Sequence, residues 1–337
     1  MSSNMLKSVT WYSDPAAGEN GEPGIYHSFV AGLASALNHV KGELDPVWLM
    51  GSSAFAFRIF INEVMCPSAM SVFNWSYILP EAVRQAGYDC IYVSRMWEEV
   101  RQEKEKREQA HAAIVEGIGR GVPAVVWDIA GCEWGLIIGY DQEKRTYQTL
   151  THRGKPSSLS FEKLGKNGID VLSVIIPGEP NRRNRDEVIL NSLKAAVAHA
   201  EQKEWMDRPK YQYGLPAFDL WALLLERWTL LLEAGKDPKI PADMPDFSKY
   251  YAGHHYSARC YARDYLETIA DGSDLLKEAS RSYAEVASCL KPLWDHFSEK
   301  RKTDEKILRS FSQNIKDAKR AEEKGIGYIR EYLKGKI

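Results

Sequence analysis

Residues 121–141 constrain the fold of this chain more than any other segment. Two short apolar runs flank a turn that carries Asp128, Cys132 and Glu133. Apolar runs of this length, separated by turn residues, are typical of neighbouring strands in an antiparallel sheet. We therefore expect two adjacent strands here, with both carboxylates at the junction between them.

The surrounding pattern divides the chain into two parts. The first part mixes helical and alternating segments, which predict helices at 28–40, 75–87 and 98–120 and strands at 54–62, 89–94, 124–129, 134–140, 146–151 and 171–176. A polar stretch, 177–186, is typical of a linker. Only helical periodicity follows, at 188–205, 217–234, 254–270, 274–301 and 306–334. We therefore expect an α+β domain over residues 1–180 and an all-α helical bundle over residues 181–337.

Charge and cysteine usage exclude several classes of protein. The net charge of −2 gives no basic surface, so we expect no nucleic-acid partner. No apolar run reaches the length of a membrane span, and Met1 to Thr10 lacks the apolar core of a signal peptide, so we expect no membrane partner. Five scattered cysteines without CxxC spacing argue against a disulfide framework and a zinc site. We therefore expect a cytoplasmic protein without metal or cofactor, whose oligomeric state stays open.

Three features of the first part occur in a characteristic order. A glycine-rich loop, 21–24, precedes the first helix; a Gly-x-Pro strand follows at 121–126; and a strand starts at Trp134 and ends in Gly139-Tyr140-Asp141. This order resembles the papain-like family that includes the bacteriocin-processing peptidases and the N-terminal domain of butirosin biosynthesis protein H. The resemblance covers roughly the first half of the chain. It implies a papain-like fold, in which a cysteine at the start of the first helix faces a histidine just before the tryptophan.

This sequence departs from the family at both catalytic positions. The first helix starts at His27 and Ser28 rather than at a cysteine, and Glu133 stands before the tryptophan. Cysteine catalysis needs a thiolate with a base within hydrogen-bond reach. The resemblance therefore implies a peptidase-like domain without the usual Cys-His pair, which binds a small molecule or peptide in the inherited cleft.

Other interpretations stay open. In an active hydrolase or acyl transferase of the butirosin type, Ser28 would act as the nucleophile, with His27 or Glu133 as its base. Alternatively, Ser28 only caps the first helix, as serine does at helix starts. A third possibility is a non-catalytic interaction protein that uses the surface of its helical bundle.

The turn residues have a functional and a structural interpretation. A pair formed by Asp128 and Glu133 would bind a cation or an amine, or act as acid and base. Alternatively, Asp128 accepts hydrogen bonds from turn amides, and Glu133 pairs with Arg58 or Arg95. Cys132 is either a nucleophile or a small buried residue. Together with Trp134, Asp128 and Cys132 are candidate ligand-binding residues.

The second part has its own candidate cluster. We expect Tyr213 at the entry to a helix, before residue 217, and His255 and Arg259 on one helical face because they are four residues apart. These three side chains would form a ligand pocket at the domain junction. The alternative is a set of buried side chains inside the bundle, as is common for tyrosine. The neighbouring histidines lack the spacing of a metal site.

Overall fold

The protein is described by a computed structural model that covers residues 3–13, 21–129, 131–204, 210–233 and 244–336. The chain divides into two units, each built from several segments. Unit 1 contains Met1–Asp14, His27–Leu49 and Trp75–Arg183, and unit 2 contains Pro15–Tyr26, Met50–Asn74 and Asn184–Ile337. This division differs from the contiguous one expected at residue 180, because two early segments belong with the C-terminal helices.

The secondary structure follows one order along the chain. The helices are α1 Ser28–Lys41, α2 Pro46–Ser52, α3 Trp75–Gln85, α4 Glu103–Gly119, α5 Arg185–Ala200, α6 Leu215–Glu233, α7 Met244–Thr268, α8 Asp274–Ser298 and α9 Glu305–Lys334. The strands are β1 Ser3–Met5, β2 Phe60–Asn62, β3 Tyr88–Arg95, β4 Ala124–Val126, β5 Gly135–Asp141, β6 Thr146–Leu150, β7 Ser157–Ser160, β8 Leu172–Pro180 and β9 Tyr211–Tyr213. Strands are concentrated in the N-terminal part and helices in the C-terminal part, so the predicted α+β class is confirmed.

Unit 1 is built on one antiparallel sheet. Its strands follow the order β3-β8-β4-β5-β6-β7, and β1 pairs with β5. The linker predicted over 177–186 is wrong in its first half, because β8 continues to Pro180, which pairs with Tyr88 of β3. The linker is therefore shorter, and α5 already begins at Arg185.

Helices cover both faces of this sheet. On one face, α1 packs so closely that a Cβ on Gly32 would lie 3.2 Å from Val125 Cγ1. Val125 alternates with Ala124 and Val126, which belong to the core shared with α4 on the other face. The thiol of Cys90 in β3 contacts the Pro80 carbonyl of α3. Unit 1 thus places the start of α1 beside the central strands β4 and β5.

Unit 2 contains helices and one short strand pair. Helix α8 packs against α7 and α9, and α9 also packs against α5 and α6. The strand predicted over 54–62 is wrong in its first half, because Phe55–Phe57 forms a turn of 3₁₀ helix before β2. Tyr213 lies at the entry to α6, as expected. The expectation that residues 181–337 are all helical is wrong at Tyr211–Tyr213, which form strand β9 and pair with β2. Across the described residues, no helix has both the length and the apolar character needed to cross a bilayer.

Candidate functional site

The start of α1 is capped by His27 rather than by Ser28. His27 has extended backbone angles, and its Nδ1 accepts a hydrogen bond from the Phe29 backbone N–H at 3.1 Å. The interpretation of Ser28 as the cap is therefore wrong, and Ser28 is the first residue inside the helix. A neutral imidazole whose Nδ1 accepts carries its proton on Nε2. Neutral His27 thus has no basic nitrogen left for a neighbouring hydroxyl.

Ser28, the first residue of α1, contacts Trp134, the residue directly before β5. The backbone N–H of Trp134 donates to Ser28 Oγ at 3.4 Å, and the Trp134 ring contacts Phe29 with centroids 5.0 Å apart. Glu133, which is half-buried, directly precedes Trp134. The structure therefore brings the start of α1 and the start of β5 together and places Ser28 and Glu133 in one region.

Asp128 organises the turn in front of β5. This buried residue has a left-handed backbone with φ +61°, and its Oδ1 accepts from the Cys132 N–H at 2.9 Å. Its Oδ2 accepts from the N–H groups of Gly168 and Ile169 at 2.5 and 2.8 Å. The structural interpretation of Asp128 therefore agrees with its contacts, since the carboxylate bridges two loops.

Cys132 is exposed on this turn, with φ +60°. The interpretation of Cys132 as a small buried residue is therefore wrong, because the turn held by Asp128 presents it to solvent. Both arginines considered as partners for Glu133 have other carboxylates: Arg58 pairs with Glu204, and Arg95 pairs with Asp170.

A cluster of tryptophans lies behind the turn. The rings of Trp75, Trp127 and Trp134 contact one another, with centroids 5.2 to 5.3 Å apart. The indole Nε1 atoms of Trp127 and Trp134 are buried and have no hydrogen-bond partner within the described part of the chain. Sequence reasoning identified only Trp134 of these three. Trp75 is the first residue of α3 and Trp127 follows β4, and the sequence pattern does not show that their rings meet Trp134.

The candidate residues of unit 2 lie in its interior. Arg259 is fully buried; its Nε and Nη2 donate to Glu322 at 2.9 and 2.6 Å, and its Nη1 donates to the Arg58 carbonyl at 2.7 Å. His255 is also fully buried and packs on Trp221, with centroids 5.4 Å apart. Burial lowers the pKa of His255 well below its ordinary value, and the positive charge of Arg259 adds to this effect. His255 is therefore neutral at physiological pH.

Tyr213 is buried as well, beside His199 and Phe60. A ligand would reach these side chains only if the helices opened. The expectation that Tyr213, His255 and Arg259 bind a ligand stays a prediction.

A second buried ion pair in unit 2 was not found by sequence reasoning. Arg58 pairs with Glu204, whose Oε2 also lies 2.9 Å from His199 Nδ1. Burial alone would raise the pKa of Glu204, but the charge of Arg58 and the hydrogen bond from His199 lower it to about 2. Its residues are far apart in sequence, so no local pattern marks the pair.

Comparison of the sequence with models of protein families and with curated proteins finds no match. The papain-like resemblance therefore rests on the order of motifs described above.

Proposed function

We propose that unit 1 is a peptidase-like binding domain without the usual Cys-His pair, which holds a small molecule or a peptide beside the starts of α1 and β5. The hydrogen bond from the Trp134 N–H to Ser28 Oγ carries this proposal, because it joins the two elements that flank the cleft in the papain-like arrangement. The papain-like fold is part of the same proposal.

The local chemistry favours binding over acyl transfer. A nucleophilic serine needs a base that can take its proton. His27 uses Nδ1 to cap the helix, and the Asp128 carboxylate is occupied by three backbone N–H groups. Glu133 directly precedes Trp134 at the start of β5, and a carboxylate in this position suits an amine or another hydrogen-bond donor of a ligand.

Binding can be tested with the tryptophan cluster as its own reporter. A panel of short peptides and a panel of primary amines are titrated into the full chain while tryptophan fluorescence is recorded. We expect saturable binding of at least one probe, weakened by Glu133→Gln but not by Glu143→Gln, an exposed carboxylate in the β5–β6 turn. Equal affinity of the two variants would contradict the assignment of the site.

Catalysis is tested separately with fluorogenic peptides and activated esters. We expect no turnover above that of buffer. Turnover that is lost in Ser28→Ala or Cys132→Ala would instead establish the alternative function, an active hydrolase or acyl transferase.

A further inference from the structure

The turn in front of β5 holds the backbone of Glu133. The Ile129 N–H donates to the Glu133 carbonyl at 3.1 Å, and the Cys132 N–H donates to Asp128 Oδ1 at 2.9 Å. Both bonds close the turn over the residues directly before Trp134. The direction in which the Glu133 side chain leaves the backbone therefore depends on how this turn is held.

The turn is held from outside by the loop 165–170, which precedes β8. Asp128 Oδ2 accepts from the N–H groups of Gly168 and Ile169 at 2.5 and 2.8 Å, and the Asp128 carbonyl accepts from Asn167 Nδ2 at 3.0 Å. Asp128 is buried, so water competes little for these bonds. The loop thus determines where Asp128 lies, and with it the turn.

The same loop is fixed at both of its ends by Arg95, the last residue of β3. Arg95 Nη2 donates to the Gly165 carbonyl at 2.9 Å and to Asp170 Oδ1 at 2.7 Å. Its Nη1 donates to the Asp170 carbonyl at 3.0 Å. The guanidinium is 1% exposed and presents its donors in a fixed planar geometry. One side chain therefore spans the loop from its first residue to its last.

The loop has a second attachment, of a different kind. Lys166 Nζ lies 2.7 Å from Glu103 Oε1 of α4, and both side chains are partly exposed. Ion pairs in contact with water contribute little to stability. We therefore expect Arg95, rather than Lys166, to determine the position of the loop.

We propose that Arg95 is a positioning residue for Glu133, acting through the loop 165–170 and Asp128. Loosening the loop changes the conformation of the turn and lowers the affinity of the site for an amine. The effect on affinity rests on the function proposed above, whereas the effect on the turn does not. Coupling along such a network is measured by perturbing one end and observing the other.

Amide hydrogen exchange under native conditions observes the loop and the turn separately. Arg95→Lys keeps the positive charge but loses the fork of donors that joins the two ends of the loop. The N–H groups of Gly168 and Ile169 report the loop, and the N–H of Cys132 reports the turn. We expect all three to exchange about 2- to 30-fold faster in this variant. Lys166→Ala, in the same loop, is the matched control and should leave the three rates unchanged.

A central amide separates positioning from a contribution to global stability. Leu136 of β5 pairs with Val125 on one side and with Leu150 on the other, so its N–H exchanges only when the sheet opens. If Arg95 contributed to global stability alone, Arg95→Lys would accelerate exchange at Leu136 and leave Cys132 unchanged. That result would overturn the proposal.

The affinity of the site is measured with the panel of primary amines. For an amine whose binding is weakened by Glu133→Gln, we expect Arg95→Lys to raise the Kd about 2- to 30-fold and Lys166→Ala to leave it unchanged. An Arg95→Lys variant with the Kd of the wild type would overturn the proposal. Absence of amine binding to the wild type would contradict the proposed function instead, and the exchange rates alone would then decide whether Arg95 positions the turn.

A milder variant serves if Arg95→Lys fails to fold. Asp170→Ala removes one of the three bonds between Arg95 and the loop, at a side chain that is 54% exposed. It should accelerate exchange at the same three amides, by a smaller factor than Arg95→Lys. An unchanged Cys132 amide in this variant would again contradict the coupling.

Discussion

Ser28 and Trp134 are joined across 106 positions of sequence by a hydrogen bond from the tryptophan N–H to the serine Oγ. This contact fixes the first helix of unit 1 to the start of β5. We expect Ser28→Ala to lower the free energy of unfolding by about 0.5–1 kcal/mol, because the distance of 3.4 Å is long for such a bond. Ser28→Thr keeps the hydroxyl and is the control. Urea denaturation measures both, and an unchanged stability of the alanine variant would show that the contact contributes nothing.

His27 gives a second test at the same helix. Because its Nδ1 satisfies the Phe29 N–H, His27→Ala should lower the free energy of unfolding by about 1 kcal/mol. His27→Asn supplies another side-chain acceptor and should retain most of the stability. Thermal and urea denaturation compare the two variants. Equal losses would mean that the ring of His27 contributes by packing and not by capping.

Asp128 makes a larger contribution to the same region. Its two carboxylate oxygens accept hydrogen bonds from three backbone N–H groups. In the asparagine variant one of these oxygens is replaced by an NH₂ group, which cannot accept and would face the N–H of Cys132 or those of Gly168 and Ile169. We expect Asp128→Asn to cost about 1–3 kcal/mol of unfolding free energy. Asn tolerates the left-handed backbone at this position, so the loss would not come from φ. Glu143→Gln, in an exposed turn, is the control and should leave the unfolding curve unchanged.

Local sequence patterns predicted those helices and turns that depend mainly on residues close together in the sequence. The 3.6-residue period placed α1 within one residue of its observed end, and the turn after Asp141 placed the junction of β5 and β6. The strand pair β2–β9 was not predictable in this way, because Phe60 and Tyr213 meet only through the tertiary fold. Pairings between distant segments leave no periodic signal.

Proline was misleading at the end of the sheet. Pro177 and Pro180 suggested a linker, yet both lie in β8. Backbone groups alternate in direction along β8, and those of Pro177 point to the side on which β4 lies. The residues of β8 that pair with β4 are Val174 and Ile175, so β4 does not extend as far as Pro177. Pro177 therefore breaks no hydrogen bond of the sheet by lacking an N–H. Within the candidate site, the starts of α1 and β5 meet. The cap at His27 depends on the orientation of its ring, which no local sequence pattern indicates.

The pH dependence of stability is expected to report the Arg58–Glu204 pair. The pKa of Glu204 lies at about 2, below its ordinary value, so the pair stabilises the fold at neutral pH. This stabilisation, about 3 kcal/mol, is lost as the pH falls from about 5 to about 2. Glu204→Gln should therefore show a lower stability at pH 7 and a shallower decline toward low pH. Denaturation at a series of pH values measures both, and parallel profiles of wild type and variant would exclude the pair as the cause.

The Arg259–Glu322 pair tests whether the interior of unit 2 depends on its charges. Both side chains are buried, so Glu322→Leu leaves an uncompensated guanidinium, and Arg259→Met leaves a carboxylate and an unpaired Arg58 carbonyl. Each single substitution should cost about 3–5 kcal/mol of unfolding free energy. The double variant should lose clearly less than the sum of the two, since it contains neither orphaned charge. A double-mutant cycle by urea denaturation gives the coupling energy. Additive losses would show that the two charges do not interact, and that each side chain contributes through its packing alone.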